Sequence, residues 1–168
     1  MTISMYQASV PVMARMFGSL STILTKAEED ATARKIEPSV FLNARLAPDM
    51  HSLTRQIQIA SDAAKGGIAR LAGVDVPSFP DTETSFAELQ ARIKKTVDFV
   101  KSVTPAQIDG SEDKKITLKF PGQEVTFPGQ VFLLNFTLPN FFFHVTMAYA
   151  ILRHNGVALG KMDFLGGA

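Results

Sequence analysis

Apolar residues recur at helical spacing along most of the chain, and they mark out four long helices. From Ser4 to about Thr32 the positions Met5, Ala8, Val12, Met16, Leu20, Ile23, Leu24 and Ala27 make one stripe, with Ser9, Arg15, Ser19 and Lys26 between them. Pro11 lies in the first turns and removes a backbone donor, so this helix should kink there or start late. KIEPSVFLNARLAPD reads as a connection with one short helical turn, punctuated by Pro38 and Pro48. A second helix is expected to begin at Pro48 and Asp49, because proline suits a first helical position and a carboxylate suits the positive end of the dipole. Its stripe is Met50, Leu53, Ile57, Ala60, Ala64, Ile68 and Leu71, and Gly73 closes it. The third helix starts at Ser85, three residues before Glu88 in the pattern of a capping box. Phe86, Leu89, Ile93, Val97 and Val100 face inward, Arg92, Lys94, Lys95 and Lys101 take the wet side, and Pro105 stops it.

The period changes to two in KITLKFPGQEVTF, on both sides of a Pro121-Gly122 turn. Pairing Phe120 with Gln123 puts Lys119 opposite Glu124, Leu118 opposite Val125, Thr117 opposite Thr126 and Ile116 opposite Phe127, a register in which every pair is favourable. A lone hairpin is marginal, so its apolar face should lie on the helices. Pro128-Gly129 ends it and opens the fourth helix, Gln130 to His154, which has no Asp, Glu, Lys or Arg before Arg153. Such a helix is expected to be buried on nearly every side, bent at Pro139 and capped by Asn155-Gly156. Leu134, Leu138, Phe141, Val145 and Leu152 form the stripe assigned to the core, while Phe132, Phe136 and Phe143 form a second one. A homodimer through the fourth helix would bury that second stripe, and the hairpin or the tail from Val157 to Ala168 is the alternative cover. The pattern as a whole predicts an all-α, antiparallel four-helix bundle with a short β-hairpin between helices three and four, one domain over 1–168.

Composition narrows the partners. At 168 residues and 46% hydrophobic the chain is large enough to bury a core without staples. With 17 basic and 16 acidic residues the formal charge is +1, and no Lys/Arg cluster follows one helix face, so nucleic acid is not an expected partner. The absence of cysteine removes disulfides, thiolate ligands and a cysteine nucleophile, which leaves histidine and carboxylates as the strong metal ligands. The first residues lack the basic start, apolar run and cleavage site of a secretory signal, and a cytoplasmic location is expected. Helix four is long enough to cross a bilayer, but two Asn, a His and a Pro would then face lipid, so a buried core helix and no membrane partner are expected.

The polar residues of helix four are where chemistry is to be sought, because unpaired polarity in so apolar a segment is costly. Asn140 and His144 lie four apart and share one face. His51, in the expected first turn of helix two, can reach into the open end of a bundle. On the residues alone His144 is equally a metal ligand or a core histidine bonded to Asn140, and His51 equally a surface residue. Asp49 and Tyr6 are candidates to bond a histidine from outside the ligand set, and His154 is explained by the negative end of the helix dipole. No nucleophile-base pair, phosphate loop or paired-carboxylate spacing is present.

A His at the start of helix two, a polar residue four before a His in helix four, and LRHNGV eight residues beyond that His resemble the DinB/YfiT-like superfamily of metalloenzymes. MYQASVPVMARM, LAPDMH, the KFPGQEVTFPGQVFLLNFTLPNFFFHVTMAYAILRHNG block and the GKMDFL tail resemble one bacterial branch of it, classed as a domain of unknown function, over essentially the whole chain. The resemblance implies a three-histidine site for a divalent metal such as Zn, Ni or Fe, and an activity of the hydrolase or thiol-dependent transferase type. His51 matches the first ligand and His144 the third, whereas Asn140 stands where the second histidine would be. An amide oxygen is a weaker ligand than imidazole, so the resemblance implies a metal weakly bound or absent; the alternative is a non-catalytic dimeric bundle acting as a binding or stress-related protein, with a small-molecule ligand.

Overall fold

Ser9 turns its hydroxyl back onto the Met5 carbonyl at 2.6 Å, and Pro11 occupies the first turn of the helix that follows, so α1 (Val10–Arg34) starts late, next to Pro11. This is seen in a computed structural model that describes residues 3–166; the two residues at each end of the expected 1–168 domain lie outside it. After α1 come the short α2 (Pro38–Leu42), α3 (Leu53–Ala72) and α4 (Phe86–Ser102), then the one-turn α5 (Pro105–Ile108) and the strands β1 (Lys115–Phe120) and β2 (Gln123–Pro128). The long fourth helix follows as α6 (Gly129–Val131), a π-helical turn (Phe132–Thr137) and α7 (Leu138–His154), and α8 (Lys161–Leu165) ends the chain.

The molecule is mainly helical, with one two-stranded antiparallel sheet. α1 packs on α4, α4 on α3, α3 on α7 and α7 on α1, which closes a ring around the core. Directions within that ring are mixed. Gln56 meets His144 while Gly67 meets Thr137, so α3 and α7 are antiparallel. Lys65 lies over Phe79 and Gln58 reaches Glu83, so the loop runs back along α3; Asp62 then lies further along beside Arg92, so α3 and α4 run the same way. The reason is the loop between them, which runs back along α3 before α4 begins, and an all-antiparallel ring is thereby corrected.

The second long helix begins at Leu53, not at Pro48. Pro48 and Asp49 instead form a turn closed by the Met50 amide on the Ala47 carbonyl at 3.0 Å, and Ser52 caps the helix by accepting from the Arg55 amide. A side-chain oxygen at the N-cap satisfies a donor that a proline start leaves open, so Ser52 wins. Gly73 closes α3 in the left-handed conformation, as its position implies. Ser85 caps α4 by accepting from the Glu88 amide, but the Glu88 carboxylate takes the Thr84 amide, one residue before the cap, so only the first half of the expected capping box forms. Arg92, expected on the wet side of α4, is 3% exposed. Its guanidinium is covered by the preceding loop and held by Asp62 at 3.2 Å, Asp81 at 2.9 Å and Glu83 at 2.8 Å.

The hairpin adopts the expected register from Lys115–Pro128 to Phe120–Gln123. Ile116 and Leu118 are buried, and Thr117 and Thr126 hydroxyls meet at 2.8 Å on the outer face. Its inner face covers the long helix: Phe127 lies 6.3 Å from Phe132 and 5.8 Å from Phe136, and Phe120 lies 6.3 Å from Phe136, ring centre to ring centre. Phe132 is consequently 1% exposed, and only Phe143 of the second aromatic stripe faces solvent, at 52%. Leu134, assigned from the sequence to the core, is 46% exposed. The physical reason is the π-helical turn just before Pro139: its i→i+5 bonds insert an extra residue, so a stripe extrapolated back from Phe141 and Val145 at α-helical spacing falls out of phase. Pro139 cannot donate to the Asn135 carbonyl and its ring would crowd it, and the wide turn lies where that clash has to be accommodated. Near burial on every side is also corrected, since Val131, Asn135 and Thr146 are exposed as well. The helix from Gly129 to His154 is long and apolar enough to cross a membrane by length and composition. Here it packs most extensively on α3.

Candidate functional site

The site forms where the start of α3 passes the middle of α7. His144 is 7% exposed, and its ring stands edge-on to Phe143 at 5.2 Å. Its partner is Gln56 on α3, itself 1% exposed, with Oε1 2.6 Å from His144 Nδ1. The other end of the same amide decides the protonation. Gln56 Nε2 donates to the backbone carbonyl of His51 at 3.2 Å, so Oε1 is left to accept, and the hydrogen on His144 must sit on Nδ1. Nε2 therefore carries the lone pair. Burial, and then the positive charges of His51 and Arg55 nearby, push the His144 pKa down from 6.5 to about 4, and the ring is neutral at physiological pH.

His51 lies before α3 on its exposed approach, not in a helical turn. Its backbone is tied to His144 through Gln56, and its charge is one of the two that oppose protonation of His144. The His51 backbone and the His144 ring thus share one partner, Gln56. Asn140 makes no bond to His144; it lines a groove between α3, the hairpin and the π-helical turn, a turn further down the helix. Asp49 is exposed in the Ala47–Met50 turn. Tyr6 sits at the other end of the molecule, where its amide donates to Asp109 at 2.8 Å, so it is removed from the set around His144. Arg55 bonds Gln58 at 3.2 Å and pairs with Asp81, which fixes its cation beside the site.

Gln56 and Arg55 were not singled out by the sequence. A signal was available for Gln56, which falls three after Leu53 and four before Ala60, on the apolar stripe of α3, where a polar side chain needs a buried partner. Arg55 carried none. An imidazole with Nδ1–H held by a carbonyl oxygen and a bare, neutral Nε2 is the arrangement of a metal-binding histidine before its ion arrives, and equally of a proton acceptor. Among the described residues no group of three His, Cys, Asp or Glu side chains could hold a metal ion.

Comparison with known proteins agrees with the fold. The chain is similar to a solved structure of a DinB family member protein from Shewanella denitrificans, at 39% sequence identity and a TM-score of 0.87, covering 97% of this chain and 92% of that one. No curated protein matches it. The model of the family described as Domain of unknown function (DUF1993) matches residues 5–165. With nearly its whole length matched and a DinB-like fold, the chain belongs to this DUF1993 family.

Proposed function

We propose that the protein is a metal-dependent enzyme of the DinB-like, four-helix-bundle type, of the hydrolase or thiol-dependent transferase kind, in which His144 and His51 hold one divalent ion. The observation that carries this is the Gln56 relay: it presents a bare His144 Nε2 and ties that ring to the segment bearing His51. A neutral imidazole gives up no proton on binding, so the donor fits such an ion at physiological pH. A bound ion would supply Lewis acidity, polarising a substrate or activating water or a thiol. Gln56 would orient the ligand, and the exposed His51 would leave the outer side of the site open to substrate. Two imidazoles hold an ion less tightly than three, and Asn140 is assigned to the neighbouring groove.

One observation favours a second reading, a non-catalytic binding bundle: the Arg55 cation adds to the positive charge that His144 already feels. Metal titration of protein stripped with EDTA separates the two. One zinc or nickel ion should bind at micromolar concentration, and binding should be lost in His144→Ala and His51→Ala. Failure of the wild-type protein to bind either ion would leave the second reading.

A further inference from the structure

We propose that the groove between α3, the hairpin and the π-helical turn binds a small carboxylate with a flat apolar body. The groove measures about 250 Å³ and is distinct from the histidine pair, neither member of which lines it. That is below the roughly 300–1,000 Å³ of pockets for drug-sized ligands, so the occupant is about as large as an amino acid.

Its floor lies where Gly67 meets Thr137. A Cβ at Gly67 would collide with the Thr137 side chain, so glycine lets α3 approach the wide turn closely. Thr137 is 2% exposed, and its hydroxyl has no hydrogen-bond partner among the described residues. A buried hydroxyl is rarely left so, and this one lines the groove. Asn140 lines the same groove, and no hydrogen bond of its amide is found among the described residues. The two polar groups flank the end of a π-helical turn, a distortion that recurs at functional sites.

The charges at the groove select the ligand. Asp62 is matched by Lys65 at 2.9 Å and Arg92 at 3.2 Å, and Lys119 is matched by Glu124 at 3.2 Å. Arg70, half-buried at the edge, has no carboxylate partner among the described residues. The surplus is therefore one guanidinium, whose planar fork suits a carboxylate, beside a hydroxyl and an amide that can complete its hydrogen bonds. Phe120 and Phe136, edge to face at 6.3 Å, wall the rest of the groove with aromatic surface.

The test is an NMR titration of the EDTA-treated full chain with 3-phenylpropionate and, in parallel, with its neutral amide, so that the outcome is independent of any metal at the histidines. Saturable shifts at Thr137, Asn140 and Phe136 are expected with the acid. The amide should bind about fivefold more weakly, and Arg70→Gln should weaken the acid about tenfold. Thr137→Val should weaken it without lowering the melting temperature, since no protein bond is lost; should that variant not fold, Arg70→Gln at the groove edge carries the test alone. Absence of saturation, shifts confined to other surfaces, or equal affinity for acid and amide in wild type and Arg70→Gln would overturn the assignment.

Discussion

Acidification offers the most direct check on the reading of His144. In the folded protein its pKa is pushed down from 6.5 to about 4 by burial first and by electrostatic repulsion from the nearby His51 and Arg55 second. The unfolded chain therefore takes up a proton at this position as pH falls through 6.5, while the folded chain stays neutral until about pH 4. Stability falls wherever the unfolded state binds more protons, so His144 is silent above pH 6.5 and destabilises progressively below it. At about 1.4 kcal/mol per pH unit the full interval amounts to about 3 kcal/mol, most of it lost by pH 4.5. Glu83, Glu88 and Asp163 are shifted in the same direction, downward from 4.5, 4.5 and 3.8, so their contribution is also lost on acidification, but only as pH falls below those values. The two windows barely overlap. Urea unfolding followed by circular dichroism, in EDTA at steps from pH 7.5 to 4.5, should show the decline in the wild type and a much flatter profile in His144→Gln, which keeps an amide donor for Gln56 but cannot titrate. Parallel profiles for the two proteins, or an NMR titration of the His144 ring with a midpoint at or above 6.5, would refute the buried neutral imidazole.

Gln56→Leu should cost about 1–3 kcal/mol by leaving the His144 Nδ1–H unpaired, and should weaken metal binding by about 10–100-fold; unchanged stability in urea would separate the two residues. Arg92→Leu should destabilise by about 3–5 kcal/mol, because it strands the Glu83 carboxylate, whose side chain is 10% exposed, whereas Lys94→Leu on the same helix should change little in the same urea series. Phe132→Ala, which empties a site under the hairpin, should cost about 3–5 kcal/mol in thermal or urea unfolding. The proposed homodimer now rests on Phe143, which is 52% exposed: Phe143→Glu should yield an 18.3 kDa species in sedimentation at micromolar concentration, and a wild-type protein already sedimenting at that mass would end the proposal.

Local physics alone determined much of this chain. Helical spacing marked the four long helices, Ser85 with Glu88 marked the start of α4, and the alternation around Pro121-Gly122 placed every pair of the hairpin, because caps and turns act within a few residues and a one-residue slip would have put Ile116 and Leu118 in water. His51 and His144, whose segments are joined through Gln56, were also picked out from the sequence, as was the departure at Asn140. What could not be read locally depended on neighbours distant in sequence. Arg92 looks like a wet-side residue until the loop bearing Asp81 and Glu83 folds over it. The π-helical turn broke the period on which Leu134 was assigned inward, and it set the groove that Asn140 faces. The protonation of His144 was decided by Gln56, 88 residues away along the chain, whose amide is oriented by a backbone carbonyl. Periodicity reports which face of an element is buried; which polar group that face meets is settled only when α3 and α7 pack, since a buried hydrogen bond needs both partners in place at once.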